Sequence, residues 1–371
     1  MSSQAGAYNH KGILSSVLTP NNHHAGLPPS INSIPYDKVT IYSCSVPRAW
    51  IVRGIDNETV RIVSHRYIPH EWSREHHRCL YAHSASANVI IGARSCRAFI
   101  AWDPNYRRML MTRINLSIAA SALTPADLLQ VVDSIVPAQC ARVGCVECKL
   151  DLQGIGAGDA MRMLYLKNGR DMRRYGEPAA YYCGSSKSPR QFICYDKGAE
   201  RGLDEGQYTR LEMRQRIENA QRPTVEQFAR GEWSHRHHPF GNIRVADEQE
   251  LQKLHPLTRK AFMRKGLHQG LRDYQRRHSV SRANRMKKDL LRPFTELMDA
   301  WDDLRAAWHA SAPVPCLVYE RPSTCSFTRP SAFVCPYAEA WAEVLAFPSA
   351  HLSAINVRPC AVSAGSMSSG R

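Results

Sequence analysis

Three stretches of the chain set chemically useful side chains two residues apart. Glu147, Lys149 and Asp151 alternate with Val146, Cys148, Leu150 and Leu152. Tyr195 and Lys197 alternate with Cys194 and Asp196, and Arg210, Glu212 and Arg214 alternate with Leu211 and Met213. Side chains of a strand point to opposite faces in turn. If these stretches are neighbouring strands, one face gathers a tyrosine, the carboxylates Glu147, Asp151 and Glu212, and the cations Lys149, Lys197, Arg210 and Arg214. That set can cut a phosphodiester. A phenol, with a pKa of about 10, is a poor nucleophile at neutral pH until a nearby cation stabilises the phenolate. Two or three carboxylates suit Mg²⁺ or Mn²⁺, which would polarise a phosphate and orient it for in-line attack. Arginines neutralise charge developing on the phosphate oxygens. A phosphotyrosine ester keeps the bond energy, so a cut strand can be rejoined without ATP. The same residues can equally well only pair with one another, each cross-strand pair adding a few tenths of a kcal/mol, about 0.2–1. Both readings stand on the residues alone.

The elements that must position these side chains can be read from periodicity and punctuation. Val39-Thr-Ile-Tyr and Thr59-Val-Arg-Ile-Val are β-branched runs and read as strands, and Val89–Ile91 and Ala98–Trp102 as shorter ones. Between them, Arg66 to His83 is rich in His and Arg and shows no period. Thr124-Pro-Ala-Asp opens a helix, with Thr124 as N-cap, Pro125 in the first turn and Asp127 at the favourable end of the dipole. Leu128, Val131, Val132 and Ile135 give that helix its apolar face. A strand over about 143–152 follows, then a helix over about 158–167, then strands near 179–184, 191–197 and 208–216. This order predicts an α+β fold: a largely antiparallel sheet backed by helices, followed by a basic helical region. The expected division is a disordered leader over 1–36, a catalytic domain over 37–245, basic helices over 246–310 and a loosely ordered tail over 311–371.

Charge points to the partner. The 371 residues carry 49 Lys and Arg against 33 Asp and Glu, a formal net charge of +16. An excess of that size implies a polyanion, most commonly nucleic acid. From Arg259 to Arg292 twelve Lys or Arg stand against two Asp. A helix charged all round cannot be core, so Arg285, Lys287 and Lys288 are expected to grip phosphates, raising affinity for any sequence alike. The stripe Leu290, Phe294, Leu297, Met298, Trp301, Leu304, Trp308 has helical spacing and reads as a packing face.

Other patterns are set aside. Cys145 and Cys148 form a C-x-x-C with Cys140 nearby, but no second pair supplies a zinc site, and the twelve cysteines are expected to be reduced, in a cytoplasm. No secretory signal or apolar membrane span is expected. His235, His237 and His238 read as a solvated loop, and Gly154-Ile-Gly-Ala-Gly as a turn between strand and helix.

At this point the sequence resembles the replication-initiation factors of rolling-circle plasmids and filamentous phages. The resemblance lies in Lys149-Leu-Asp-Leu, Tyr182-Cys-Gly-Ser-Ser-Lys-Ser, Tyr195-Asp-Lys-Gly and Arg210-Leu-Glu-Met-Arg, in that order, over about residues 143 to 217. It implies an origin-specific, single-strand DNA endonuclease that rejoins strands through a phosphotyrosine intermediate and starts rolling-circle replication in the cytoplasm of a bacterial host. By position Tyr195 would be the nucleophile, Asp151 and Glu212 would hold Mg²⁺ or Mn²⁺ with Glu147 beside them, and Lys197 and Arg210 would serve the phosphate or phenolate. Lys149, Arg214, Ser185 and Ser188 would contact DNA, the serines from a tight turn with Gly184. The partners implied are origin DNA, single-stranded or supercoiled duplex, with host helicase and replication proteins; a dimer is a candidate assembly, and no membrane is involved. A conjugative relaxase of the same chemistry and a non-catalytic DNA-binding repressor are the alternatives. The family's usual arginine two residues before its tyrosine is Ile193 here, for which Arg190 is the candidate substitute. Lys149 stands where arginine is usual, keeping charge but losing bidentate phosphate binding.

Overall fold

The computed structural model describes residues 34–312 and 314, apart from 71–79, 107–108, 154, 168–171, 177–178, 186–187, 201–207 and 234–237. Most of the expected leader and tail therefore lies outside the described residues, as do His235 and His237.

The strands are β1 (Tyr36–Ser43), β2 (Val60–Tyr67), β3 (Tyr81–Ile91), β4 (Arg94–Pro104), β5 (Thr112–Ser117), β6 (Ala141–Gln153), β7 (Leu164–Leu166), β8 (Met172–Tyr175), β9 (Ala180–Cys183), β10 (Arg190–Asp196), β11 (Tyr208–Arg216), β12 (Ile243–Ala246) and β13 (Leu291–Pro293). Among the described residues ten of them form one sheet, in the order β2-β3-β4-β5-β1-β6-β11-β10-β9-β8, and β13-β12-β7 form a second. All neighbours pair antiparallel. The helices are α1 (Ala49–Arg53), α2 (Pro125–Ile135), α3 (Ala157–Met163), α4 (Lys197–Glu200), α5 (Val225–Ala229), α6 (Glu248–Lys253), α7 (Pro256–Lys265), α8 (Leu267–Arg277), α9 (Val280–Leu290) and α10 (Thr295–Ala310). The fold is α+β, with helices gathered toward the C-terminal part.

The α2 N-terminus forms as its sequence dictates. Thr124 accepts from the Asp127 backbone, and the Asp127 carboxylate accepts from the Thr124 backbone, so two orphan donors are satisfied reciprocally. The apolar sides of β6, β10 and β11 face the main core: Val146, Cys148, Cys194 and Leu211 are fully buried. The α3 end closes over them, with Cys194 Sγ on the Ala157 carbonyl and the Thr209 hydroxyl donating to the Ile155 carbonyl at 2.6 Å. The aromatic stripe is core, as its spacing implies. Trp301 and Trp308 are buried, Tyr36 packs on Phe228 and Trp308 with ring centroids at 4.9 and 5.1 Å, and Trp308 Nε1 donates to the Leu123 carbonyl.

Several local expectations are corrected. The helix expected to reach Lys167 ends at Met163, where Leu164 and Leu166 turn inward as β7 and pair with β12. The strand expected to include Lys197 ends at Asp196, and Lys197 opens α4. No strand is expected over residues 112–117, yet β5 forms there and pairs with β1 on one side and β4 on the other. In the histidine-rich stretch, His70 bonds Asn105 and lies 2.8 Å from Asp103, and His83 stacks on Trp102.

Candidate functional site

β11 lies between β6 and β10, so register decides which side chains meet. Asp151, Arg210 and Tyr195 stand in one row across the three strands; Lys149, Glu212 and Ile193 stand in the next, and Glu147, Arg214 and Gln191 in the third. The period-two reading thus places Glu147, Lys149, Asp151, Arg210, Glu212, Arg214 and Tyr195 on one face, opposite the apolar side.

On that face the Tyr195 hydroxyl donates to Glu212 Oε1 at 2.7 Å. Arg210 clasps Asp151 with two parallel bonds, Nε to Oδ1 at 2.7 Å and Nη2 to Oδ2 at 2.9 Å, the bidentate geometry that a guanidinium favours. Tyr208 donates to the same Oδ2 at 2.6 Å. Arg214 Nε donates to Glu147 Oε1 at 2.6 Å, and Lys38 approaches the other Glu147 oxygen at 3.5 Å. Lys197, from the start of α4, holds its ammonium 5.7 Å from the centre of the Tyr195 ring.

Burial makes these pairings consequential. Lys149, Arg210 and Glu212 are 2%, 3% and 8% exposed. Burial alone would push the Asp151 carboxyl up, but hydrogen bonds and charge from Arg210, with Lys149 and Tyr208, hold it below the usual carboxylate range. Burial also opposes the Arg210 charge, and Asp151 more than offsets it, holding that guanidinium above its ordinary value. Glu212 goes the other way. Burial raises it, with Asp37 and Glu147 adding to the rise, and the Tyr195 bond opposes this only in part. A carboxylate with raised proton affinity, already accepting from a phenol, is a base poised to take that proton.

Sequence reading missed Asp37, Lys38 and Tyr208. The pairing of β1 with β6 slips between Tyr36 and Lys38, a bulge that brings Asp37 within 3.7 Å of Arg210 and Lys38 near Glu147. No period-two pattern announces a bulge. Tyr208 could have been found, since it lies two residues before Arg210 on the same face. Arg190 does not replace the missing arginine: it falls on the Phe192 side of β10, away from Tyr195.

Other residues lie apart. Ser185 and Ser188 close their own turn, the Ser185 amide donating to Ser188 Oγ at 3.0 Å, with Gly184 at φ +87°. A side chain at Gly184 would meet the Arg190 carbonyl at 2.8 Å, so this is a hairpin that needs its glycine. Arg285 and Lys288 are exposed on α9, whereas Lys287 lies over the Tyr165 ring at 6.0 Å and reaches Gln275.

The three carboxylates do not form a ready cage for a divalent cation. Both Asp151 oxygens are engaged by Arg210 and Tyr208, Glu147 is held between Arg214 and Lys38, and Glu212 accepts from Tyr195. Among the described residues no three His, Cys, Asp or Glu converge as a metal site. Cys145 and Cys148 sit in β6, the latter fully buried.

No family model matches the chain, and no curated protein matches it. Among solved structures it is similar to the rolling circle replication initiator protein from Geobacillus stearothermophilus, at 9% identity and a TM-score of 0.33, over 57% of this chain and 86% of that one. Among the described residues no helix is long and apolar enough to cross a membrane.

Proposed function

We propose that this chain nicks and rejoins one strand of DNA through Tyr195, and that it does so at an origin to start rolling-circle replication of a filamentous phage or plasmid. The observation that carries the reading is the Tyr195–Glu212 hydrogen bond of 2.7 Å beside the Arg210–Asp151 clasp. In the proposed step Glu212 takes the phenol proton as Tyr195 Oη attacks phosphorus. The bond to the leaving sugar oxygen breaks, and that oxygen takes a proton from water. Lys197 stabilises the phenolate, and Arg210, buried and fixed by Asp151, adds its positive charge beneath the developing charge on the phosphate oxygens. Running the step backward rejoins the strand.

A second reading, DNA binding without chemistry, draws on a different observation: Glu147 and Asp151 are already partnered by cations, as plain pairing across a sheet would have it. One experiment separates the two. Incubated with single-stranded phage or plasmid DNA, the wild type should form a covalent protein–DNA adduct, and Tyr195→Phe should form none while keeping its DNA affinity. A Tyr195→Phe variant that still nicks would overturn the assignment and turn attention to Tyr181 or Tyr182. No adduct in any form would leave the repressor. A conjugative relaxase is told apart by a nick site that is a transfer origin.

A Mg²⁺ or Mn²⁺ requirement belongs to the same proposal: Asp151, Glu212 and Glu147 would hold the ion only by giving up their present partners, and it would supply charge to polarise the phosphate. EDTA should stop nicking and either ion should restore it, while the DNA-free protein leaves Mn²⁺ unbound in an electron-paramagnetic titration. Full activity in EDTA would remove metal from the proposal. Origin DNA, the host helicase and replication proteins, and a dimeric assembly are proposed partners of the same reading.

A further inference from the structure

The basic segment is more than a string of charged helices. β12, α6, α7, α8, α9 and β13 form one unit: β13 follows directly on α9 and pairs back onto β12, Ala246 opposite Leu291 and Arg244 opposite Pro293. The unit has its own core of Phe262, Leu267, Leu271 and Leu290, with Tyr274 and Met286 packed against it. Gly266, at φ +81°, makes the corner between α7 and α8. Gly270 lets those helices cross so closely that any side chain there would run into the Phe262 ring. Two residues, His278 and Ser279, link α8 to α9, and the Ser279 hydroxyl accepts from the Arg282 backbone as N-cap. This is the connectivity of a helix–turn–helix unit.

Within it α9 is the presented helix. It buries Ala283 and Leu290 and half-buries Met286 and Lys287, whereas Ser281, Arg282, Asn284, Arg285 and Lys288 are exposed. Ser281, Asn284, Arg285 and Lys288 follow the i, i+3, i+4, i+7 spacing of one outward stripe. Cations elsewhere in the unit are partly neutralised, Lys265 and Arg276 by Asp273 and Lys253 by Glu250. Among the described residues Arg282, Arg285 and Lys288 form no ion pair with an acid, and neither do Arg264, Arg272 and Arg277, so α9 shares its uncompensated charge with α7 and α8 and differs from them in what stands among the cations. A helix that only gripped phosphates would need nothing but cations. This stripe sets an amide and a hydroxyl among them, and Asn and Arg are the side chains that pair two-pronged with adenine and guanine edges.

We infer that α9 is a base-reading helix for the major groove of duplex DNA, with Asn284 and Arg285 as the residues that discriminate sequence. The major groove of B-DNA, about 12 Å wide, admits a helix, whereas that of A-form RNA is too narrow to be read. This rests on DNA being the partner, as proposed above, and not on the chemistry of Tyr195.

The test is selection of full-length protein against duplexes with a randomised central segment, using both the wild type and Tyr195→Phe. Both should enrich one common sequence. Asn284→Ala and Arg285→Ala should each lower preference for the selected duplex over a scrambled one by about ten- to a hundredfold. Asn284→Ala should leave affinity for the scrambled duplex within about threefold, since no charge is removed. Unchanged melting temperatures would show that both exposed substitutions fold. Absence of any enriched sequence would overturn the inference, as would preference unchanged in both variants or an equal loss on both duplexes. Adduct formation on single-stranded DNA is scored separately. A protein that reads duplex but never forms an adduct would fail the nicking proposal alone, and one that forms adducts but selects no duplex would fail this one alone.

Discussion

Glu212 and Asp151 sit on adjacent strands of one sheet face, yet their surroundings push them in opposite directions. Asp151 is held down by Arg210, so its contribution to stability is present above the unfolded carboxylate value, about 3.9, and is lost as pH falls through its lower folded value. Glu212 is raised by burial, so the native state favours its protonated form. Its contribution is complete below the unfolded value of about 4.3 and is lost as pH rises through the folded one. Asp151→Asn should therefore lower stability at pH 7 by about 3 kcal/mol, the scale of breaking a buried pair, with a smaller deficit in acid. Glu212→Gln should lower it little or not at all at pH 7. Urea unfolding of both variants at pH 7 and pH 4 checks the signs, and a large Glu212→Gln deficit at pH 7 would contradict the argument. In catalysis the order reverses. Because the ionised base is needed, the acid limb of the nicking rate should lie above the ordinary glutamate range. Glu212→Gln should abolish that limb and slow nicking about 10²- to 10⁴-fold.

At the scale of elements, what could be read from sequence followed from periodicity. Alternation in β6, β10 and β11 announced both the strands and the shared face of Tyr195, Glu212 and Asp151, because a strand with one buried side leaves no freedom in which residues face out. The Thr124-Pro-Ala-Asp signature located the start of α2 because capping is local chemistry. The bulge at Asp37 and the ending of α3 at Met163 were not legible. One depends on how β1 meets β6, a strand far along the chain, and the other on β12 offering Leu164 a partner. The helix–turn–helix unit hid for a related reason. Its small core draws on Phe262, Leu267, Leu271 and Leu290, too few and too scattered to show as a stripe against so many charges. The glycine within it is a sharp test. Gly270→Ala, normally a helix-stabilising change, should instead destabilise the unit by about 1–3 kcal/mol, because Phe262 must yield. Hydrogen exchange should show faster opening in α7 and α8 while β6 and β11 stay protected. A stabilised unit would mean that α7 and α8 do not cross as closely as described.

For the molecule as a whole, the two polar surfaces are joined through packed elements. α3 backs the sheet behind Tyr195, and its Arg162 backbone abuts Gly266 at the α7–α8 corner, where an added side chain would meet the Arg162 Cα at 2.9 Å. β7 continues from α3 and carries Tyr165, which packs on the core of the helical unit and lies 5.6 Å from the His268 ring. On the two proposals above, these packed elements would tie a duplex read by α9 to a strand cut at the sheet face. Grip and reading should be separable, because phosphates are alike at every site and base edges are not. Arg264, Arg272 and Arg277 are exposed on α7 and α8. Replacing all three with Ala should weaken binding to selected and random duplexes by similar factors. It should also flatten the dependence of log affinity on log salt by up to about 0.9 for each phosphate that is no longer neutralised. Adduct formation by Tyr195 should survive at low salt, where the remaining cations suffice. An unchanged salt slope would make these arginines a solvated face. Weakening confined to the selected duplex would extend base reading beyond α9, and the separation of grip from recognition would then fail.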